Sequence, residues 1–260
     1  MNIQYFGAAR EVGRSCIGVE TGELSILLDA GVAPNDKKPL LPEEKFKKPD
    51  AIALTHAHLD HSGFLPAIYK HSNPPIITTF PSIPLVNILL EDMQKLLDEK
   101  GIPQYFNAVD LKRMSRSFVA IPYETEYEFY DGTNLKLYDA GHILGSSQVL
   151  LETEGRRLLY SGDFNLMDTV MHRRAKIPKE KVDCLIMEST YGNREHPNRK
   201  KLVKEFCGKI KAAVERRESV IVPSFAVGRT QEILEMLYEH ELLKYAVLDG
   251  MGIRASDIYM

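Results

Sequence analysis

The 260-residue sequence contains no tryptophan and only three cysteines. Cys16, Cys184 and Cys207 are widely spaced, form no CxxC pair and predict no disulfide framework, which is typical of a reducing cytosol. No segment approaches the roughly 20 apolar residues that a transmembrane helix needs, and the N-terminus lacks the basic and apolar pattern of a signal peptide. We therefore expect a soluble, cytoplasmic protein with no membrane partner.

An excess of charge of one sign is also missing. The chain has 33 Lys and Arg against 36 Asp and Glu, a formal net charge of −3. Such a balance creates no overall positive field, so any binding of nucleic acid must depend on a local surface. The length is sufficient for one large domain or two small ones with a substantial core.

The first three quarters of the chain are predicted to be rich in β-strands. Short apolar runs separated by glycine-containing turns predict strands at Ile3–Phe6, Cys16–Val19, Ser25–Asp29, Ala51–Leu54, Pro75–Thr78, Ser117–Ile121, Glu126–Tyr130, Leu135–Asp139, Ser147–Glu152, Arg156–Ser161 and Asp183–Glu188. Helical periodicity predicts helices at Gly63–Lys70, at Ser82–Lys100 and near Asp110–Arg116.

The pattern changes after about residue 195. Predicted helices Lys200–Arg217 and Gly228–His240 alternate with predicted strands Ser219–Val222 and Tyr245–Leu248. Strands that alternate with helices are typical of a parallel α/β unit. We therefore predict one domain of residues 1–195 and a second of residues 196–260.

The most informative segment is Thr55-His56-Ala57-His58-Leu59-Asp60-His61, directly after a predicted buried strand. At the end of a strand these side chains can converge on one point. Histidine nitrogens and carboxylate oxygens are ligands that zinc takes in catalytic sites. The spacing allows His56 and His58 to hold one metal ion while Asp60 and His61 turn to a second. A histidine-rich surface turn is the alternative interpretation.

Two further polar residues also follow predicted strands. His142 lies between Gly141 and Gly145, which allow the backbone to bend sharply after the strand Leu135–Asp139. Asp163 occupies the same kind of position in Tyr160-Ser161-Gly162-Asp163-Phe164-Asn165. A single aspartate at a strand end is more often a turn residue. Three such polar sites in one β-rich region instead indicate a shared site.

Together, the segments HxHxDH, GHILGS and SGDFN resemble motifs of the metallo-β-lactamase superfamily. Three more segments are similar to its β-CASP branch, which includes ribonuclease J and the endonuclease subunit of the cleavage and polyadenylation machinery. They are FGAAREVGRSC (residues 6–16), ESTYG (188–192) and PSFAVGRTQE (223–232). The resemblance covers essentially the whole chain. It implies the α/β class, with an αββα metallo-β-lactamase fold followed by a partial β-CASP domain.

The same resemblance implies a site with two zinc ions. One zinc is expected on His56, His58 and His142, the other on Asp60 and His61, with Asp163 bridging both. Asp29 is expected to orient the HxHxDH loop by hydrogen bonding, with a strand-end turn residue as the alternative. Glu188 is expected to act near the metals together with Asp60 and Asp163, unless it only caps the following turn.

The implied activity is zinc-dependent hydrolysis of RNA phosphodiester bonds in RNA processing or decay, with single-stranded RNA as the expected partner. Ser146, Ser147, Ser224 and Arg229 are candidates to hold phosphate, although serines beside glycine are more often turn formers. The basic helix at Arg199–Arg217 has apolar residues at helical spacing, which favours an ordinary solvated face over an RNA surface.

The family pattern continues beyond residue 260 with two histidine motifs and further strands. We therefore expect a natural short form, a split-gene half or a truncated product, with a weaker second metal site. A homo-oligomer or a complementing C-terminal polypeptide would supply what is missing. Two alternatives remain: a non-catalytic metal-bound subunit that pairs with a complete homologue, and a small-molecule metallo-hydrolase such as a thioesterase or lactonase. The ESTYG and PSFAVGRTQE segments argue against the second.

Overall fold

The computed structural model describes residues 1–33, 39–43 and 48–260. Its strands are β1 (Asn2–Tyr5), β2 (Ile17–Glu20), β3 (Ser25–Leu28), β4 (Ala51–Ala53), β5 (Ile76–Thr78), β6 (Phe118–Ala120), β7 (Glu126–Glu128), β8 (Asn134–Asp139), β9 (Ser147–Thr153), β10 (Arg156–Tyr160) and β11 (Cys184–Ile186). The helices are α1 (Leu59–Ser62), α2 (Leu65–Ile68), α3 (Ser82–Glu99), α4 (Ala108–Ser115), α5 (Arg199–Glu215), α6 (Arg229–Glu239) and α7 (Gly252–Tyr259), with a 3₁₀ turn at Leu243–Tyr245.

The first sheet has six strands in the order β1-β2-β3-β4-β5-β6. Strands β1, β2 and β3 form an antiparallel meander, whereas β3 to β6 run parallel to one another. The carboxyl ends of β3, β4 and β5 therefore meet at one edge of the sheet. The HxHxDH segment begins directly after β4, in the middle of that edge.

The second sheet has five strands in the order β11-β10-β9-β8-β7. Strands β7 to β10 are antiparallel neighbours, and β11 pairs parallel to β10. Because β8 and β10 both run antiparallel to β9, they point in the same direction. Their carboxyl ends, which lead to His142 and Asp163, consequently lie at the same edge of this sheet.

Alternation of side chains along the strands builds the two main parts of the core. Ile26 and Leu28 of β3 point into the space between the sheets, whereas Leu27 faces the helices on the other side. This period of two is the geometry of an extended strand. From the second sheet, the inter-sheet core receives Leu135, Leu137, Val149, Leu151, Leu158 and Tyr160.

A helical layer covers the outer face of the first sheet. Leu85, Val86 and Leu90 of α3 are fully buried against Leu27 and Ile52 of the sheet. The same cluster includes Ile143 near the candidate site and Val227 and Ala255 from the last quarter of the chain. Within residues 1–33, 39–43 and 48–260, no helix combines the length and apolar character that a bilayer span requires.

The α/β class with two sheets is confirmed, and the first eleven predicted strands all form within a few residues of their expected bounds. The predicted helix Gly63–Lys70 is shorter than expected: only α2 (Leu65–Ile68) forms in this range, and α1 ends before it at Ser62. The boundary near residue 195 stays a prediction.

The two strands predicted after residue 195 were wrong. Residues 219–222 and 245–248 pair with no strand in the described structure. Their apolar side chains are open to solvent, with Ile221 89% and Val247 94% exposed. A strand exists only when a neighbour accepts its backbone hydrogen bonds, and an apolar run predicts the preference but not the neighbour.

Candidate metal centre

Three loops carry the candidate ligands to the edge where the strands of both sheets end. The HxHxDH loop leaves β4 and continues into α1, while His142 and Asp163 follow β8 and β10. Gly31, which follows β3, packs directly against the backbone of α1. A side chain has no room there, because a Cβ on Gly31 would lie 1.7 Å from the Asp60 carbonyl oxygen. The backbone N–H of Ala30 also donates to the carbonyl oxygen of His61 at 2.8 Å.

The first group of ligand atoms comes from His56, His58, His142 and Asp163, and all of these atoms lie within 4.8 Å of one another. His58 Nδ1 is 3.2 Å from both His56 Nε2 and His142 Nε2. Two nitrogens bound at 2.0–2.1 Å to a tetrahedral zinc ion are about 3.3–3.4 Å apart. The spacing of these nitrogens therefore fits a single tetrahedral ion.

Asp163 presents its two carboxylate oxygens to different partners. Oδ2 lies 3.9 Å from His56 Nε2 and 3.7 Å from His142 Nε2, whereas Oδ1 lies 3.2 Å from His61 Nε2. A second group of ligand atoms, from His56, Asp60 and His61, also lies within 4.8 Å. One carboxylate thus stands between two sets of donors, which is the arrangement that a bridging ligand requires.

Asp29 is fully buried at the end of β3 and accepts four hydrogen bonds. Oδ1 accepts from the Thr55 backbone N–H at 2.7 Å, and Oδ2 accepts from Thr55 Oγ1 at 2.8 Å and from Tyr160 Oη at 2.9 Å. His61 Nδ1 lies 2.7 Å from Oδ2, which turns His61 Nε2 towards Asp163. These contacts favour the orienting role over that of a turn residue, although the role itself stays a prediction.

Two other rings are also held through the nitrogen that faces away from the ligand group. His56 Nδ1 lies 3.0 Å from Thr55 Oγ1, and His58 Nε2 lies 3.4 Å from the carbonyl oxygen of Val227. Such contacts fix the tautomer and the orientation of a metal-binding imidazole. Sequence reasoning assigned no role to Thr55, Tyr160 or Val227. Only Thr55 carried a local signal, because it directly precedes the histidine motif.

The protonation states at the first group of ligand atoms suit a metal ion. Burial lowers the pKa values of His56 and His58, and it lowers the pKa of His142 to about 4. Burial acts the same way on His61, but the carboxylates of Asp163 and Asp29 outweigh it and raise this pKa well above the ordinary value. Burial would raise the pKa of Asp163, yet His61 and His56 hold it far below its usual range. At neutral pH, His56, His58 and His142 therefore offer free lone pairs beside an ionised carboxylate.

Replacing Thr55 by valine is expected to weaken metal binding about 10- to 100-fold, the usual cost of losing a group that orients a ligand. The fully buried hydroxyl contacts both Asp29 and His56, so its loss frees the His56 ring and removes one donor to Asp29. Competition with a chromogenic zinc chelator measures this affinity.

Thr78→Val is the matched control for this substitution. Thr78 is also fully buried, at the end of β5, and its hydroxyl donates to the Leu54 carbonyl oxygen at 2.9 Å. Thr78→Val loses one buried hydrogen bond and Thr55→Val loses two, at a cost of about 1–3 kcal/mol for each polar group left without its partner. Only Thr55→Val should change metal affinity, and equal affinities in the two variants would contradict the orienting role.

Glu188 follows β11 beside the Asp163 loop, and its backbone N–H donates to Ser161 Oγ at 3.1 Å. Its carboxylate accepts a hydrogen bond from the Thr190 N–H at 3.0 Å, so Glu188 caps the turn that follows. Neither of the two ligand groups found among the described residues includes it. The geometry favours the capping alternative, and a catalytic role stays a prediction.

The four candidate phosphate contacts divide into two pairs. Ser146 and Ser147 are fully buried, where Ser146 Oγ accepts from the His142 N–H at 3.1 Å and Ser147 Oγ donates to the Thr55 carbonyl oxygen at 3.0 Å. They shape the loops of the site and have no hydroxyl open to a substrate, which argues against phosphate binding. Ser224 and Arg229 are exposed, and Arg229 Nη1 donates to Glu232 at 2.7 Å.

Comparison with known proteins matches residues 9–175 to the metallo-beta-lactamase superfamily. All the predicted metal ligands and Asp29 lie inside this range, whereas Glu188, Ser224 and Arg229 lie beyond it.

Curated relatives extend the similarity over nearly the whole chain. It is 37% identical to the probable RNase MJ4 of Methanocaldococcus jannaschii, over 100% of this chain and 62% of that protein. It is 36% identical to RNase aCSPSF2 of Saccharolobus solfataricus, over 99% of this chain and 52% of that protein. The transcription termination factor FttA of Methanothermobacter thermautotrophicus is 35% identical, over 95% of this chain and 40% of that protein. The chain therefore spans about two fifths to three fifths of the length of these relatives.

Proposed function

Because the chain belongs to the metallo-beta-lactamase superfamily, we propose that it is a zinc-dependent phosphodiesterase that hydrolyses single-stranded RNA. The observation that carries this proposal is the convergence of three histidine nitrogens on one point, with Asp163 facing both ligand groups. Zinc suits the site, because all the donors are imidazole nitrogens and carboxylate oxygens.

The residues of the chain take distinct parts in this activity. Bound zinc supplies Lewis acidity and a water of lowered pKa. His56, His58 and His142 would hold the first ion and Asp60 and His61 the second, with the Asp163 carboxylate available to both. Asp60 and Asp163 have side chains that are 32% and 29% exposed, so both carboxylates can also orient a water through hydrogen bonds. Asp29 and Thr55 keep the imidazoles in place while the reaction proceeds.

RNA is proposed as the substrate because relatives that align over almost the entire chain carry ribonuclease names. A nearly neutral chain needs a local surface for such a substrate, and the exposed Ser224 and Arg229 offer a hydroxyl and a guanidinium for phosphate oxygens. A cytoplasmic location and a homo-oligomer or complementing polypeptide stay predictions.

We expect the purified chain to cleave end-labelled single-stranded RNA in the presence of zinc or manganese, and chelation followed by gel filtration should abolish the cleavage. The Asp60→Ala variant is the control, because it lacks a ligand at the partly open side of the site while every histidine remains. Zinc content is measured on the same preparations by mass spectrometry.

The outcomes separate three interpretations. Cleavage that is lost both with Asp60→Ala and on chelation supports the proposal. A folded, zinc-loaded chain that leaves RNA intact would favour the non-catalytic subunit. Hydrolysis of thioesters or lactones without hydrolysis of RNA would favour the small-molecule enzyme instead.

A further inference from the structure

The segment from Ser224 to Gly228 is fastened to the metal centre. The carbonyl oxygen of Val227 lies 3.4 Å from His58 Nε2, and the Val227 side chain is only 2% exposed. Gly228 has a φ of +87°, and a Cβ there would lie 2.5 Å from Ile143 Cγ2, next to His142. The segment therefore rests on both the HxHxDH loop and the His142 loop.

Phe225 projects from this fixed segment into solvent. Its carbonyl oxygen accepts hydrogen bonds from the Thr230 N–H at 3.2 Å and from Thr230 Oγ1 at 2.8 Å, so the backbone is held. The side chain is nevertheless 79% exposed. Two residues span at most about 7 Å of extended chain, which keeps Phe225 close to Val227 and therefore to His58. An exposed apolar ring is thus carried by a segment that contacts the metal centre through Val227.

Polar groups on either side suit a nucleotide. Ser224 precedes Phe225 in the chain, with its hydroxyl 3.0 Å from Thr230 Oγ1. Arg229, whose side chain is 56% exposed, follows on the first turn of α6. Glu232 pairs with both Arg229 and Arg199, which limits the positions that Arg229 adopts. An exposed aromatic side chain four residues before an exposed arginine suits a base and its phosphate.

We propose that Phe225 stacks on a base of the RNA strand next to the phosphate held at the metal centre, and thereby selects single-stranded RNA. This inference rests on the proposed function and names the residue that gives it strand selectivity. In a duplex each base is already stacked and paired, whereas an unpaired base can turn onto an aromatic side chain. Stacking on the ring accepts any base, because every base has a π face.

The Phe225→Ala variant should bind a 12-nucleotide single-stranded RNA about 5- to 150-fold more weakly than the unaltered chain, in line with the loss of one stacked base. Fluorescence anisotropy with phosphorothioate linkages, which slow cleavage, gives this affinity independently of activity. Phe225→Trp should restore binding, because it keeps an aromatic face. Zinc content and thermal unfolding should stay unchanged in both variants.

Tyr130→Ala is the matched control. Tyr130 is 78% exposed, like Phe225, but lies in the turn before β8, at the end of that strand opposite His142. A six-residue strand separates the two ends by about 20 Å. We expect RNA affinity within twofold of the unaltered chain for this variant.

A scan with abasic nucleotides tests the contact directly. In the unaltered chain, an abasic nucleotide at one position should weaken RNA binding by the same factor as the Phe225→Ala substitution does. In Phe225→Ala, the same abasic nucleotide should not weaken RNA binding any further. The inference would be wrong if the abasic nucleotide weakened RNA binding by Phe225→Ala as much as by the unaltered chain, or if Phe225→Trp did not restore RNA binding. Either result would leave the proposed RNA cleavage intact. Absence of both RNA binding and cleavage in the unaltered chain would overturn the proposed function as well.

Discussion

Asp163→Ala is expected to lower RNA cleavage by more than about 100-fold and to remove most of the bound metal. Loss of a residue that only orients a ligand already costs about 10- to 100-fold, and Asp163 is the carboxylate that faces both ligand groups. Without it, His56, His58 and His142 remain as three neutral donors with no negative charge among them. Metal content by mass spectrometry and cleavage of end-labelled RNA measure the two effects.

The fold of this variant should be retained with a lowered unfolding free energy, because His61 loses one of its two closest carboxylate partners while Asp29 remains. Asp168→Ala is the control, because this exposed carboxylate lies in the same loop and accepts a hydrogen bond from the Arg174 N–H at 2.8 Å. Full metal content in Asp163→Ala would show that the bridging assignment is wrong.

Asp29→Ala is expected to destabilise the fold by about 3–5 kcal/mol, the cost of removing one partner from a buried charged network. The Thr55 N–H, the Thr55 hydroxyl and the Tyr160 hydroxyl would all lose their acceptor in the core. Alanine also fits poorly here, because Asp29 has a φ of +59° and aspartate tolerates this region better than most residues. Urea unfolding measures the loss.

Asp29→Asn separates the effect of the lost hydrogen bonds from the effect of the backbone conformation at residue 29. Asparagine tolerates the same backbone conformation and can still accept from the Thr55 N–H, but its amide N–H₂ cannot accept from Tyr160 or His61. We expect an intermediate stability for Asp29→Asn, and a lowered metal affinity for both variants, because neither side chain accepts a hydrogen bond from His61 Nδ1 as Asp29 Oδ2 does. If the free energy of unfolding of Asp29→Ala were within about 0.5 kcal/mol of that of the unaltered chain, as for ordinary surface substitutions, the network around Asp29 would not stabilise the fold.

Most local structure was predictable because its signals are local. The bounds of α3 follow from apolar residues at helical spacing, and β9 and β10 follow from apolar runs on either side of the turn at Gly155. The strands expected at 219–222 and 245–248 had the same kind of signal and do not form in the described structure. Pairing is a property of two segments, so one segment's composition does not predict it.

In the candidate site, too, some features follow from local sequence and others depend on packing. Six residues contain three histidines and an aspartate, and this density at a strand end indicated a metal centre without any structure. Ser146 and Ser147, at the end of the GHILGS segment and directly after it, carried a weaker signal for phosphate binding. Their complete burial was not visible in the sequence, because a hydroxyl beside glycine can serve either a turn or a ligand.

The sequence by itself determined the donor chemistry of the site, the strand ends that carry it and the resemblance to a family of hydrolases. Only the tertiary structure decided which nitrogen of each histidine faces the ligand group. That choice depends on contacts between residues far apart in the chain, such as Tyr160 with Asp29 and Val227 with His58. Local propensities act over a few neighbours, whereas the orientation of a buried ring is decided by every group packed around it.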